Sequence, residues 1–140
     1  MNVLALAEAW WAQHSIHLDQ EPGGDRFGTI IIEGDTRAAP LRMVAIGDSM
    51  IAGCGVDDQA HGFTPDLAAV FSRVLNRSIA WESYGKLGAT VRRVRYRLLP
   101  EVEGRADLLV LCAGSNDLMA RRSLEAVSYT HLTLPTICSV

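Results

Sequence analysis

Ser49 follows Gly47 and Asp48 where a short apolar run stops, in the stretch LRMVAIGDSMIAGCG from Leu41 to Gly55. A run of that length with β-branched Val44 and Ile46, and a glycine just after it, predicts a buried parallel strand ending at Gly47. Open α/β sheets bind ligands at the carboxyl edges of their strands, so a tight turn there makes the Ser49 hydroxyl a candidate nucleophile. Two later stretches also put a small or polar group just past a predicted strand: WESYGKLGAT at 81–90 and LLVLCAGSNDL at 108–118. Acyl transfer calls for such a set, an attacking oxygen and donors aimed at the oxyanion that develops as the carbonyl becomes tetrahedral.

Taken in order, Gly47-Asp48-Ser49, the G-x-x-G-A-T of residues 85–90 and the G-x-N-D of residues 114–117 resemble the signature blocks of the SGNH (GDSL-type) serine ester hydrolases. The resemblance covers residues 41–127. It implies an α/β protein of three-layer α/β/α build on a flavodoxin-like parallel sheet, the SGNH hydrolase fold, here incomplete. It also implies a serine esterase acting on a small-molecule ester with neither metal nor cofactor. Ser49 would be the nucleophile, and the oxyanion hole would combine its own backbone N–H, the backbone N–H of Gly88 and the side-chain amide of Asn116. Gly88 lets the main chain approach closely, and an aspartate at 116 would repel the charge that an amide N–H stabilises. Asp48 and Asp117, each beside a working residue, would be supporting groups that tie turn amides together. One departure is Ser83, where the family often has asparagine; the resemblance implies a weakened supporting hydrogen bond there.

The base is the larger departure. In the resembling family it is a histidine in a D-x-x-H block near the C-terminus, and this sequence contains no D-x-x-H. His131 has Ser128 three places before it and follows Asn116 by 15 residues, which leaves no room for two further strands. His61, 12 residues after Ser49 in an acidic-polar loop, reads as a solvated histidine. The closing residues 128–140, SYTHLTLPTICSV, resemble a translated sequencing-adapter tail, so the native reading frame is expected to end near Val127.

The elements that must position these groups fit in one domain of 140 residues: a preface over 1–40, a partial hydrolase domain over 41–127 and the tail over 128–140. With 49% apolar and 21% charged residues and a net charge of −3, nothing points to nucleic acid. Cys54, Cys112 and Cys138 lack metal-ligand spacing and read as reduced thiols in a cytoplasmic setting. The N-terminus carries Glu8 in its apolar part with no preceding Lys or Arg, unlike a signal peptide, and no apolar run is long enough for a membrane span, so the chain is expected to be soluble. Helices are predicted over 3–15, 64–75, 91–99 and 116–127, and strands over 27–33, 41–47, 78–83 and 107–112. The strand at 27–33 is either a sheet edge or a flap. In the helix at 64–75, Leu67, Val70, Phe71, Val74 and Leu75 are expected inward, and Trp10 and Trp11 are expected to pack. In the helix at 91–99, Val91, Val94 and Leu98 face inward, while Arg92, Arg93, Arg95 and Arg97 read as a solvated face. Helices between the strands imply right-handed crossovers and a parallel sheet, and on the assumption of a 2-1-3 order the Ser49 strand is central between the other two. Two other readings stay open on the residues: a flavodoxin-like or Rossmann-like small-ligand module using Gly47, Gly53 and Gly55, whose spacing misses the G-x-G-x-x-G fingerprint, and a non-catalytic interaction protein with an exposed apolar sheet edge.

Overall fold

The computed structural model describes residues 20–37 and 39–120. Four strands, β1 (Phe27–Ile30), β2 (Leu41–Gly47), β3 (Ile79–Gly85) and β4 (Leu108–Cys112), form one sheet in the order β1-β3-β2-β4. β2 runs parallel to both β3 and β4, so the strand that ends before Ser49 is central, as its continuous apolar run requires. β1 pairs antiparallel with β3, which makes the 27–33 segment a sheet edge rather than a flap. It is shorter than expected because the chain turns at Ile32–Asp35, where the Asp35 N–H donates to the Ile32 carbonyl at 3.1 Å.

Helix α1 (Phe63–Leu75) covers one face of the sheet. Its expected inward set needs correction: Val70, Val74 and Leu75 are exposed, Val74 to 74%, while Thr64, Ala68 and Ser72 are buried. The sheet supplies the bulk here. The indole of Trp81 lies against Gly28, where an added Cβ would stand 2.9 Å from the ring, and the small Ala68 faces it in a core with Met43 and Ile79. A helix that docks on a large flat side chain turns its small residues inward, whatever its apolar periodicity favours.

The opposite face is packed by Ile46, Ala89, Val94 and Leu98. Their helix opens with an α turn, α2 (Val91–Arg93), widens into a π turn over Val94–Leu98 and closes with a 3-10 turn over Leu99–Glu101. Thr90 caps it by accepting the Arg93 N–H at 3.3 Å, and Val91, Val94 and Leu98 are buried as the sequence predicts. A short helix, α3 (Ser115–Met119), follows β4. The expected helix at 3–15 with Trp10 and Trp11, the tail at 128–140 with His131 and Cys138, and the continuation of the 116–127 helix past residue 120 lie outside the described residues. Among those described, no helix is long and apolar enough to cross a membrane, and no group of His, Cys, Asp or Glu has the makings of a metal site.

Candidate functional site

The three parallel strands end level. Gly47 pairs with Gly85 on one side and with Cys112 on the other, so the turns that follow them rise from one edge of the sheet. Close contact dictates both glycines. A Cβ on Gly47 would stand 2.0 Å from the Cys112 carbonyl oxygen, and one on Gly85 would stand 2.1 Å from the backbone nitrogen of Ala52. The segment after Ser49 therefore crosses directly over the end of β3.

Hydrogen bonds then join the turns to one another. The Asp48 N–H donates to the Cys112 carbonyl at 2.9 Å, and its buried carboxylate accepts the Met50 N–H at 3.2 Å and the Ser115 hydroxyl at 2.9 Å. The Asp117 carboxylate accepts the Val91 N–H at 2.7 Å, and Asn116 Nδ2 donates to the Ala89 carbonyl at 3.0 Å. Each acidic residue of the first and third blocks thus holds a backbone N–H at or just past one of the turns of this edge. Burial pushes the Cys112 thiol pKa up, and the neighbouring Asp48 charge adds to the rise.

Ser49 is half-buried, and its carbonyl accepts the Cys54 N–H at 3.0 Å. Its hydroxyl and backbone N–H make no hydrogen bond to any described residue. Gly88 sits at φ +71° in a turn closed by the Ala89 N–H donating to the Lys86 carbonyl at 3.0 Å, and its own N–H is likewise unused among the described residues. Asn116 spends one of its two amide hydrogens on Ala89 and keeps the second. The structure thus gathers Ser49, Gly88 and Asn116 on neighbouring turns of one sheet edge, with donors left over.

Beneath this edge, sequence reasoning singled out Ser83 and missed the residues around it. Ser83 is buried and donates to the Ile51 carbonyl at 2.6 Å, so the serine standing in for asparagine makes a short bond to the segment after the Ser49 turn. Thr64 donates to Ser83 at 3.4 Å, and Gln59, 2% exposed, donates to the Ala52 carbonyl at 2.9 Å. Glu21 accepts the Leu87 N–H at 2.9 Å and ion-pairs with Lys86 and Arg26. Burial works to raise its carboxyl pKa, but the Leu87 bond and the two cations outweigh it and hold the group below its ordinary value. A loop glutamine or glutamate carries no local sign of such a contact, whose partner lies in a different turn. His61 stays on the exposed loop, bonded to Asp57 at 2.9 Å, and that bond followed by the Asp57 charge raises its pKa.

Residues 45–133, which hold all three blocks, match the GDSL-like lipase/acylhydrolase family. The chain belongs to that family. No curated protein matches it. Among solved structures it resembles AlinE4, an SGNH-hydrolase family esterase, with 21% identity and a TM-score of 0.58 over 69% of this chain and 51% of that one; a mutant of the same esterase matches equally. At that identity the likeness shows the SGNH hydrolase fold, and this chain spans about half the length of those esterases.

Proposed function

We propose that this chain carries the nucleophile and oxyanion-hole half of a serine ester hydrolase. Ser49 Oγ attacks the ester carbonyl, its proton passes to a base, and the resulting alkoxide oxygen is met by the N–H groups of Ser49 and Gly88 and by Asn116 Nδ2. Collapse then expels the alcohol, and water releases the acyl group from Ser49 in a second step. The observation that carries this reading is three unspent N–H donors on turns that leave adjacent strand ends. Asp48 and Asp117 hold the turns together and stay off the substrate.

Family resemblance assigns the base to a D-x-x-H histidine that this sequence lacks, so the 140-residue chain is expected to hydrolyse esters negligibly. The working domain is residues 41–127 with 1–40 as its preface, and Cys54 and Cys112, which form no disulfide among the described residues, favour a reducing, cytoplasmic setting. The test is fluorophosphonate labelling of a longer protein in which this domain is joined to a D-x-x-H block. Label on Ser49, lost in Ser49→Ala, is the expected result; label elsewhere or none refutes the assignment.

A further inference from the structure

The arginines that the sequence presents as a solvated face line something. Arg92, Arg93, Tyr96 and Arg97 form one wall of an open groove that runs along β3 from Ala80 to Gly85 and ends at the Lys86–Thr90 turn. None of the described residues covers this part of the sheet face: Phe27 of β1 is 66% exposed opposite Glu82, and Tyr84 lies two residues along β3. The π turn accounts for the wall. Leu99 N–H bonds to the Val94 carbonyl five residues back, and the wider turn keeps Val94 and Leu98 on the sheet while Tyr96 and Arg97 join Arg92 and Arg93 outside. Such turns recur at functional sites.

Charge in the groove is unbalanced. Glu82 is held bidentately by Arg42 at 2.7 and 2.8 Å, and Glu21 is spent on Arg26 and Lys86. Arg92, Arg93 and Arg97 have no ion-pair partner among the described residues, and Glu101 is the third acidic residue of the lining. A net-acidic chain that masses three guanidinium groups, without ion pairs among the described residues, beside the exposed Phe27 and the half-buried Tyr84 offers complementarity to an anion with an apolar body.

We propose that this groove binds an amphiphilic anion, and, resting on the esterase reading above, that the anion is the non-reacting part of the ester: an apolar chain over Phe27 and Tyr84 carrying a phosphate or carboxylate against Arg92, Arg93 and Arg97. Spacing sets the geometry. Arg93 and Arg97 lie three and seven residues past Thr90, on the helix into which the turn that holds Gly88 leads.

Calorimetric titration of the 140-residue chain with octyl phosphate, octyl glucoside and inorganic phosphate tests this. Octyl phosphate should bind more tightly than the other two, and the exposed-site variants Arg93→Gln/Arg97→Gln and Phe27→Ser should each weaken it by about tenfold or more while far-UV circular dichroism stays unchanged. Failure of octyl phosphate to bind, equal binding of either control, or indifference to the arginine change overturns the proposal. The amide resonances of Lys86 and Gly88 should shift on binding. Binding that leaves both unmoved assigns the groove to some other anion and overturns its link to the ester. No hydrolysis enters the assay, so a negative result leaves the labelling of Ser49 as a separate question.

Discussion

Gly85→Ala should damage this protein far more than a glycine-to-alanine change at a strand end ordinarily does. The new methyl would stand 2.1 Å from the Ala52 nitrogen and 2.3 Å from the Ile51 carbonyl carbon, both backbone atoms. To regain the 3.4 Å of ordinary contact, the crossing segment must retreat by about 1.3 Å. Overpacking of that kind costs about 1–3 kcal/mol. The retreat also pulls the Ile51 and Ala52 carbonyls off Ser83 and Gln59, two buried bonds worth about 1 kcal/mol each. Stiffening of the unfolded chain by alanine destabilises that state and offsets about 0.4–1 kcal/mol. The net loss is about 2–5 kcal/mol. With a urea slope of ~2 kcal/mol/M, the unfolding midpoint followed by circular dichroism should fall by about 1–2.5 M. Gly23→Ala is the matched control, since nothing lies within 4 Å of its added methyl, and it should raise the midpoint by about 0.2–0.5 M. Equal midpoints for the two variants would refute the close crossing of the Ser49 segment over β3, and with it the structural support beneath the site.

In a longer active protein, Asn116→Asp should lower kcat by about 100-fold or more, because a carboxylate can neither donate to an oxyanion nor keep the bond to the Ala89 carbonyl; an unchanged kcat would remove Asn116 from the site. Cys112 should alkylate with iodoacetamide at pH 8 more slowly in the folded chain than in urea, read peptide by peptide by mass spectrometry. Asp48→Asn should speed the folded reaction, since it removes the second cause of the raised thiol pKa. His61 should titrate above 6.5 by NMR, and Asp57→Asn should return it toward that value. Because the folded-state pKa is the raised one, the stabilisation from this pair is fully present below the ordinary histidine pKa and disappears as pH rises through the folded value.

The residues alone fix the chemistry on offer and the order of its parts. LRMVAIG has to be a central strand, since an apolar run without alternation is stable only when both faces are covered, and Met43 to Ile46 are buried on both. Val91, Val94 and Leu98 mark an inward helix face because spacings of three and four allow nothing else. The three blocks name Ser49, Gly88 and Asn116 as candidates because each residue type suits its share of acyl transfer. Tertiary structure alone decides the rest, because those contacts join turns far apart in the chain. Trp81, filling the space over Gly28, determines that α1 turns Ala68 and Ser72 inward and leaves Val74 in water. The bond from Ser83 to Ile51, 32 residues apart, converts a substitution that looked like a loss into a support. One extra residue in the turn over Val94–Leu98 moves Arg97 and Tyr96 onto a groove wall, which a periodicity of 3.6 reads as plain solvent-facing surface.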